Sequence, residues 1–452
     1  MALHLLIPPR INPDSQPAKQ AERPNGRRGK CRPAKRLRRA AAALLMLPLA
    51  AAGMPEGSRV DPSPARFPAQ LLAPEIAGGR QSFLVVLGNT AFSSPLLFGE
   101  PARSAGLSCN SCHVNGHDNP DFFIPGHSAR PGGLDPTGGL FNPAAEDGAE
   151  NHLDIPSLRG IRFLGPYGRD GRIASLREFA RHVIMDEFAG PEPAPLLLDA
   201  LTAYMEAFEF LPNPRLGPLG RLADGASAAG RRGEALFRER RGTAGLSCAD
   251  CHRPDAAFTD GRAHDIGSGG RFRTPTLLDA ADSAPYGHDG RWPDFGAALD
   301  GHEPALGLGL NAAERADLLA FVQDAAFAED AETPATFRAE MAELATYVGV
   351  LDGTLRRRDA RLTRFVVETV LAELGRVQRA FPEGDAPRFA ARPDRHKEVP
   401  LDYAALRDGL QRVAALAEAG DMPGASAALD AYHDLAERMV ANYPRPGRSR
   451  EP

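Results

Sequence analysis

The pattern C-x-x-C-H occurs twice in this chain of 452 residues and constrains its fold more than any other feature. It reads CNSCH over residues 109–113 and CADCH over residues 248–252. The chain has five cysteines, and the fifth, Cys31, lies near the N-terminus. Every later cysteine therefore belongs to one of the two copies, and no thiol is left over for a disulfide elsewhere.

A C-x-x-C pair is typical of a redox dithiol, of half a zinc site or of a heme c attachment point. Four thiolates could bind zinc, but such a site would not need a histidine directly after each pair. A redox dithiol would need a βαβ context, which the surrounding sequence does not suggest. Heme c uses the whole pattern, because two thiols bond to the macrocycle and the adjacent imidazole binds the iron. Two covalently bound heme c groups are therefore predicted, one on Cys109, Cys112 and His113 and one on Cys248, Cys251 and His252.

Both copies lie in a longer repeat. The segment IPSLRGIRFLGPYGRDGR (155–172) matches TPTLLDAADSAPYGHDGR (274–291), with prolines at the same spacing. A proline-rich connector, LPNPRLGPLG, spans residues 211–220. A repeat in the same order on both sides of such a connector indicates two related domains. We place the first heme domain at residues 81–215 and the second at 221–330.

The C-terminal third has a different pattern. Glycine becomes rare, and apolar residues such as Phe337, Met341, Leu344 and Val348 recur at helical spacing. Several amphipathic helices in succession favour an antiparallel bundle. We therefore predict a helical bundle domain at residues 333–445.

The N-terminus has the features of an export signal. A basic stretch precedes AAAALLMLPLAAAG (40–53), which is too short to span a bilayer and ends in an A-x-A-like cleavage site. We assign residues 1–53 to a leader and 54–80 to a linker, and we predict a periplasmic protein without a membrane span after signal removal. An uncleaved anchor is the alternative. The formal charge of −5 argues against general nucleic-acid binding.

The chain resembles the bacterial diheme cytochrome c peroxidase family, including its MauG-like branch. The resemblance covers about residues 81–325 and depends on the two C-x-x-C-H units and on FTDGRAHDIG (258–267), FRTPTL (272–277) and APYGHDGR (284–291). It implies a mainly α fold, with two duplicated cytochrome-c-like heme domains followed here by the C-terminal antiparallel bundle. It also implies that peroxide reacts at the first heme, that the second heme accepts electrons, and that Ca²⁺ is a candidate ligand between the two domains.

The resemblance also suggests distal iron ligands. In the second domain the family places an axial Met, Tyr or His shortly after P-Y-x-x-D-G, where this chain has His302. No Met lies between residues 252 and 340, so bis-histidine ligation is predicted there. In the first domain His127 matches a displaceable loop ligand of some family members, while His182 follows the internal repeat. An open site is the third alternative.

The family's peroxidases use a distal glutamate as the acid–base group. Glu187 lies near that place in VIMDEFAG, and Asp186 is its neighbour. An ordinary carboxylate at a helix end is the alternative interpretation. Arg172 and Arg291, in the paired D-G-R turns, are candidates to bond heme propionates, since a guanidinium binds carboxylates well. Pairing of these arginines with neighbouring aspartates is equally open.

One departure from the family concerns electron transfer between the hemes. The peroxidases usually carry Trp directly before the first D-G-R, where this chain has Arg169, and its only tryptophan is Trp292. The favoured function is a peroxidase-like oxidoreductase that acts on peroxide or on a protein side chain. The alternative is a non-enzymatic electron carrier with two six-coordinate hemes, docked through its bundle. Candidate partners are a small redox donor protein (cytochrome c or cupredoxin) or a protein substrate, and a homodimer is a candidate assembly.

Overall fold

The computed structural model describes residues 66–73, 82–329, 333–334, 336–381 and 402–442. The predicted leader and most of the predicted linker lie outside the described residues. The α-helices of the described part are α1 (Phe83–Phe92), α2 (Cys109–Cys112), α3 (Leu176–His182), α4 (Pro195–Ala207), α5 (Ala228–Arg238), α6 (Cys248–Cys251), α7 (Phe295–Leu306), α8 (Ala312–Ala326), α9 (Phe337–Val348), α10 (Val350–Arg356), α11 (Ala360–Ala380), α12 (Tyr403–Glu418) and α13 (Met422–Asn442).

The strands of the described part are short and form three antiparallel pairs. These are β1 (Arg66–Phe67) with β6 (Thr333–Pro334), β2 (Gly133–Leu134) with β3 (Leu153–Asp154), and β4 (Ala263–His264) with β5 (Phe272–Arg273). The mainly helical class predicted from the sequence is confirmed. None of the described helices is both long enough and apolar enough to cross a membrane.

The two halves that carry the C-x-x-C-H units have the same order of elements. Each begins with a helix that packs on the last helix of its half, α1 on α4 and α5 on α8. A serine side chain caps the first helix of both halves: Ser82 accepts from Val85 N at 3.3 Å, and Ser227 accepts from Gly230 N at 2.8 Å. Between the paired helices lie the motif helix, a two-stranded ribbon, the P-Y-G-x-D-G-R turn and one further helix.

The two halves contact each other through equivalent backbone atoms. Asp154 N donates to His288 O at 3.1 Å, and Arg273 N donates to Arg169 O at 2.8 Å. In the aligned repeat, position 154 corresponds to 273 and position 169 to 288. The ribbon of each half therefore donates to the P-Y-G-x-D-G-R turn of the other half, as a local two-fold arrangement requires.

The C-terminal helices share one hydrophobic core with the first half. Buried residues of α1 and α4 and of α9 to α13 belong to one continuous cluster. Two buried hydroxyl pairs cross the boundary: Ser93 Oγ lies 2.9 Å from Tyr347 Oη, and Ser94 Oγ lies 2.7 Å from Thr369 Oγ1. The second half instead has a small separate core, whose buried members are Leu222, Phe237, Phe258, Leu318, Phe321 and Ala325.

A buried ionic network joins α9 and α11. The Arg376 guanidinium donates to Glu340 at 2.5 Å and to Glu373 at 2.9 Å. Beside it, the Tyr347 hydroxyl donates to Glu343 at 2.5 Å, and burial raises the pKa of the Glu343 carboxyl. Since a buried cation is tolerated when carboxylates surround it, these contacts fix the register of the two helices.

Candidate heme-binding sites

The two C-x-x-C-H units form one-turn helices whose starts are fixed by their own sequence. The serine before the first cysteine is the N-cap in both units, and the residue before the second cysteine completes a capping box. Ser108 N donates to Ser111 Oγ at 3.0 Å, and Ser247 N donates to Asp250 Oδ2 at 2.8 Å. These caps place two thiols and the following imidazole on a single turn in each half.

All four cysteines of the two units are free thiols in this structure. Burial raises the pKa of Cys109 to about 12 and that of Cys248 to about 11. Thiols that act as nucleophiles or as metal ligands have a lowered pKa instead. The local environment therefore does not activate them as a redox dithiol.

The four cysteines do not converge on one point, as a shared zinc site would require. Among the described residues, the one group of three or more potential metal-binding side chains is Cys251, Asp260 and His264, whose ligand atoms lie within 4.8 Å of one another. His264 Nε2 lies 2.7 Å from Asp260 Oδ2 in this group. Since Cys251 is also a predicted heme-attachment thiol, we assign no separate metal site here.

The motif histidines have the tautomer and charge that an iron ligand needs. His113 Nδ1 lies 2.9 Å from Pro156 O, and His252 Nδ1 lies 3.3 Å from Phe258 O. Desolvation lowers the pKa of both rings to about 4, so both are neutral at neutral pH. With the proton on Nδ1, the lone pair of Nε2 is left for a metal.

In the second half, His302 on α7 faces His252. The two ring centroids lie 6.5 Å apart, and His302 Nδ1 lies 2.7 Å from Ala298 O, which leaves Nε2 for a ligand. Two metal–nitrogen bonds of about 2 Å each, plus the distance from each nitrogen to its ring centre, span about 6 Å. The space between the two rings therefore matches one metal ion, and this donor pair fits heme iron.

Trp292 lies beside this pair, although nothing in its sequence context indicated a role there. Its ring centroid is 6.0 Å from that of His302. The signals that would have pointed to it are Gly301, directly before His302, and Gly287, two residues before Asp289. Both glycines lie against the indole ring.

In the first half, His182 contacts charged groups and not a second imidazole. The helix α3 continues directly into a π-helical turn, Val183–Glu187, which brings Asp186 and Glu187 next to the ring. His182 Nδ1 lies 2.8 Å from Asp186 Oδ2, and His182 Nε2 lies 3.1 Å from Arg172 Nη2. Both ring nitrogens therefore have partners in this structure.

Glu187 and Arg172 complete this charged group. Arg172 Nη2 lies 3.4 Å from Glu187 Oε1, and His182 Nε2 lies 3.8 Å from the same oxygen. Glu187 is partly buried, and desolvation raises the pKa of its carboxyl against the opposing effect of His182 and Arg172. A carboxyl with a raised pKa beside an imidazole and a guanidinium is suited to proton transfer.

The third distal candidate, His127, is exposed. It lies in the turn of residues 124–128, where His127 N donates to Ile124 O at 3.0 Å. Within the described residues, no ring contact joins His127 or His182 to His113 in the way that one joins His302 to His252. The structure brings the predicted ligands together in the second half alone.

The two D-G-R arginines both pair with the aspartate two residues before them. Arg172 lies 3.0 Å from Asp170, and Arg291 lies 2.7 Å from Asp289. This is one of the two arrangements left open by the sequence. Arg172 differs from Arg291 because it also contacts Glu187.

Arg169 stands where the two halves meet. Desolvation lowers the pKa of its guanidinium, while the nearby carboxylates of Asp154, Asp289 and Glu187 act in the opposite direction. Arg169 thus places positive charge between the two candidate sites, where the resembling peroxidases have an indole.

Part of the chain matches a known protein family. The family model described as di-haem cytochrome c peroxidase matches residues 229–361, which include the second C-x-x-C-H unit but not the first. Methylamine utilization protein MauG of Methylorubrum extorquens is 28% identical over 298 residues, which cover 53% of this chain and 77% of that protein. Hydrazine synthase subunit gamma of Kuenenia stuttgartiensis is 27% identical over 190 residues, 36% of this chain and 51% of that subunit. This chain therefore matches about half the length of the hydrazine synthase subunit.

Two solved structures are also similar. One is hydrazine synthase of Kuenenia stuttgartiensis pressurised with xenon (TM-score 0.40, 20% identity, 66% of this chain and 100% of that chain). The other is a MauG-like protein associated with microbial copper homeostasis (TM-score 0.38, 19% identity, 58% of this chain and 94% of that chain). The resemblance drawn from the sequence is confirmed by the family model and the curated relatives: residues 229–361 match the di-haem cytochrome c peroxidase model, and the chain is similar to MauG.

Proposed function

We propose that this protein is a diheme c-type oxidoreductase that reduces hydrogen peroxide, or oxidises a protein side chain, at the first site with electrons passed through the second. One observation carries the proposal. The second site has two imidazoles facing each other, whereas the first has a carboxyl with a raised pKa beside Arg172 and His182. The second site therefore suits a metal bound between two imidazoles, and the first site suits proton transfer.

The proposal assigns one heme c to each half. When bound, heme c supplies an iron that accepts and donates single electrons. His113 and His252 would hold the iron, and the hydrogen bonds of their Nδ1 atoms to backbone carbonyls fix the orientation of both rings. Burial keeps the thiols of Cys109 and Cys248 protonated until they bond to the macrocycle.

Glu187 is the proposed acid–base residue of the first site. Its carboxylate would take a proton from one oxygen of the peroxide and return it to the other oxygen, which leaves as water. Arg172 lies 3.4 Å from the carboxylate and stabilises it after it has given up that proton. Because burial raises the pKa of this carboxyl, it accepts a proton more readily than an exposed glutamate does.

His302 is the proposed distal ligand of the second site. A site with an imidazole on both sides has no position for peroxide, and it suits electron transfer alone. Its proposed donor is a small cytochrome c or cupredoxin. The two halves are proposed to be a duplicated heme domain, which is supported by the equivalent backbone bonds of Asp154 and Arg273.

Calcium between the halves stays a proposal that rests on the family resemblance. No step of the proposed function depends on calcium. Export to the periplasm is also part of the proposal, on the basis of the basic and apolar N-terminal segment.

The alternative is a non-enzymatic electron carrier with two six-coordinate hemes. Arg169 favours it, because a guanidinium between the sites cannot be oxidised as an indole can. This carrier would need His182 or His127 as a second ligand of the first heme.

Electron paramagnetic resonance of the oxidised protein, before and after hydrogen peroxide, separates the two functions. We expect one high-spin signal from the first site and one low-spin signal from the second. Peroxide should abolish the high-spin signal, and addition of reduced donor protein should bring that signal back. Two low-spin signals that peroxide leaves unchanged would contradict the enzyme and establish the carrier.

A further inference from the structure

Trp292 packs on the side chain that faces His252. Its ring centroid lies 6.0 Å from that of His302, with an angle of 31° between the planes. It is the only tryptophan in the chain. The His302 ring therefore has two aromatic neighbours, Trp292 and His252.

The position of the indole is fixed by the turn that carries it. Tyr286 N donates to Trp292 O at 2.6 Å, and Trp292 N donates to Tyr286 O at 3.1 Å. The Tyr286 ring stacks on Phe295 with 4.5 Å between centroids, and its hydroxyl donates to Ala280 O at 2.8 Å. Phe295 is the first residue of α7, so the turn and the helix of His302 are held as one unit.

Two glycines make the space that the indole fills. A Cβ atom on Gly301 would lie 2.5 Å from the indole carbons, and one on Gly287 would lie 3.0 Å from Trp292 Cε3. Gly287 also has a φ of +92°, which favours glycine on its own account. Gly301 has no such backbone reason, so close contact with the indole is the reason for glycine there.

The helix itself is anchored on its other side. Arg315 of α8 pairs with Asp300 at 2.8 Å and donates to Gly296 O at 3.1 Å. The Asp294 side chain caps the helix by accepting from Ala297 N at 2.8 Å. With the backbone of α7 fixed, His302 can leave its place by rotation of its side chain, which its Nδ1 contact with Ala298 O and the neighbouring Trp292 both oppose.

In the first half, no indole lies beside the corresponding histidine. Ile173 is the residue that pairs with Tyr167 there, as Trp292 pairs with Tyr286. His182, on the corresponding helix, is bound to Asp186 and Arg172 instead. The indole and the imidazole that faces the motif histidine thus occur together, in the second half.

We propose that Trp292 is a positioning residue that holds His302 toward His252 and so keeps the second heme six-coordinate. The inference rests on the proposed function, because that assigns His302 as the distal ligand. The indole occupies the volume into which the imidazole would otherwise turn, so the unbound rotamer of His302 is disfavoured. Loss of the indole should raise the fraction of the second heme that lacks its distal ligand.

The test uses the full-length diheme protein and three variants: Trp292→Ala, Trp292→Phe and Gly301→Ala. Carbon monoxide binding to the fully reduced protein measures how much of the second heme has an open position, and the low-spin resonance signal measures the ligated fraction. We expect Trp292→Ala to increase carbon monoxide binding at the second heme at least tenfold. Trp292→Phe should restore most of the ligated fraction, and Gly301→Ala should resemble Trp292→Ala because its methyl group displaces the indole.

Ile173→Ala is the matched control. It truncates the side chain at the equivalent position of the turn in the first half and should leave the coordination of the second heme unchanged. Thermal unfolding of each variant shows whether the fold is kept; if Trp292→Ala does not fold, Gly301→Ala carries the test. Folded variants with an unchanged low-spin signal and unchanged carbon monoxide binding overturn the inference. A His302→Ala variant that stays low-spin shows instead that the ligand assignment in the proposed function is wrong.

Discussion

The two histidines that follow the P-Y-G-x-D-G-R turns have different surroundings. His302 faces the imidazole of His252 across 6.5 Å, while His182 lies among Arg172, Asp186 and Glu187. The scaffold around them is the same, with a ribbon, a turn and a capped helix in each half. A repeated fold therefore does not repeat its chemistry, and the side chains that touch each ring decide what it can do.

A single residue accounts for much of this difference. The N-caps of the two helices are Ser175 and Asp294, and they occupy corresponding positions of the repeat. His182 is the seventh residue after its cap, and His302 is the eighth after its own. One residue turns an α-helix by about 100°. The two rings therefore leave their helices on different faces.

The largest expected effect is on iron coordination. His302→Ala should convert the proposed second heme completely from low-spin to high-spin, because among the described residues no other imidazole ring contacts His252. His182→Ala should leave the coordination of both hemes unchanged, since its ring nitrogens already have protein partners. Resonance spectra of the two variants measure both outcomes. A new high-spin signal in His182→Ala would mean that the two sites are more alike than their contacts indicate.

The next effect concerns peroxide turnover. Glu187→Gln removes the proposed acid–base group but keeps its shape, so the rate of peroxide reduction should fall by about 10² to 10⁴-fold. Glu178→Gln, an exposed residue of α3, is the control and should change the rate little. Stopped-flow measurement of the reaction with peroxide gives both rates. An equal loss in the two variants would remove Glu187 from the chemistry.

A smaller effect tests the difference in support between the two halves. Arg376→Met leaves Glu340 and Glu373 buried without their cation and should cost about 3–5 kcal/mol of unfolding free energy. Because α11 shares a core with the first half, hydrogen exchange should rise there more than in the second half. Arg364→Met, which breaks exposed ion pairs, is the control and should change the unfolding free energy little. Equal exchange in both halves would contradict the unequal support.

The smallest effect is a pH dependence at the boundary between the halves. Burial raises the pKa of Asp154 to about 7, whereas an unfolded aspartate has a pKa of about 3.9. Between these values the folded chain keeps a proton that the unfolded chain has lost, so stability contributed by this group falls as pH rises through the window. Asp154→Asn should flatten the decrease in melting temperature from pH 4 to pH 7 by removing this titration. An unchanged slope would show that Asp154 titrates normally.

The mainly helical class and the family resemblance were predictable because both depend on local residue patterns. The proposed heme ligands Cys109, Cys112 and His113 form such a pattern too, because residues that bind one heme c lie close together in the chain. The partners of His182 and His302 were not predictable in this way. His182 and His302 follow the preceding proline by 16 and 17 residues, and these spacings look equivalent in the sequence. The difference of one residue nevertheless places the two side chains on different faces of their helices.

The backbone bonds between the halves were also invisible in the sequence. Asp154 and His288 are joined through main-chain atoms, which leave no preference for any residue type. The role of Trp292 was hidden for another reason, because it depends on the space left by Gly301. Contacts that require the absence of a side chain are difficult to infer from residue patterns alone.

The shared core of the first half and the C-terminal helices has a consequence for biosynthesis. The core of the second half can close once residue 326 has been synthesised, because its buried residues, such as Phe237, Phe258 and Phe321, all precede that point. The first half begins earlier in the chain, yet its core also includes side chains as late as Met439. Because domains close as their residues emerge, the half synthesised first is the last to be finished. Heme attachment at Cys109 and Cys112 would thus have more time before the surrounding core closes than attachment in the second half would have.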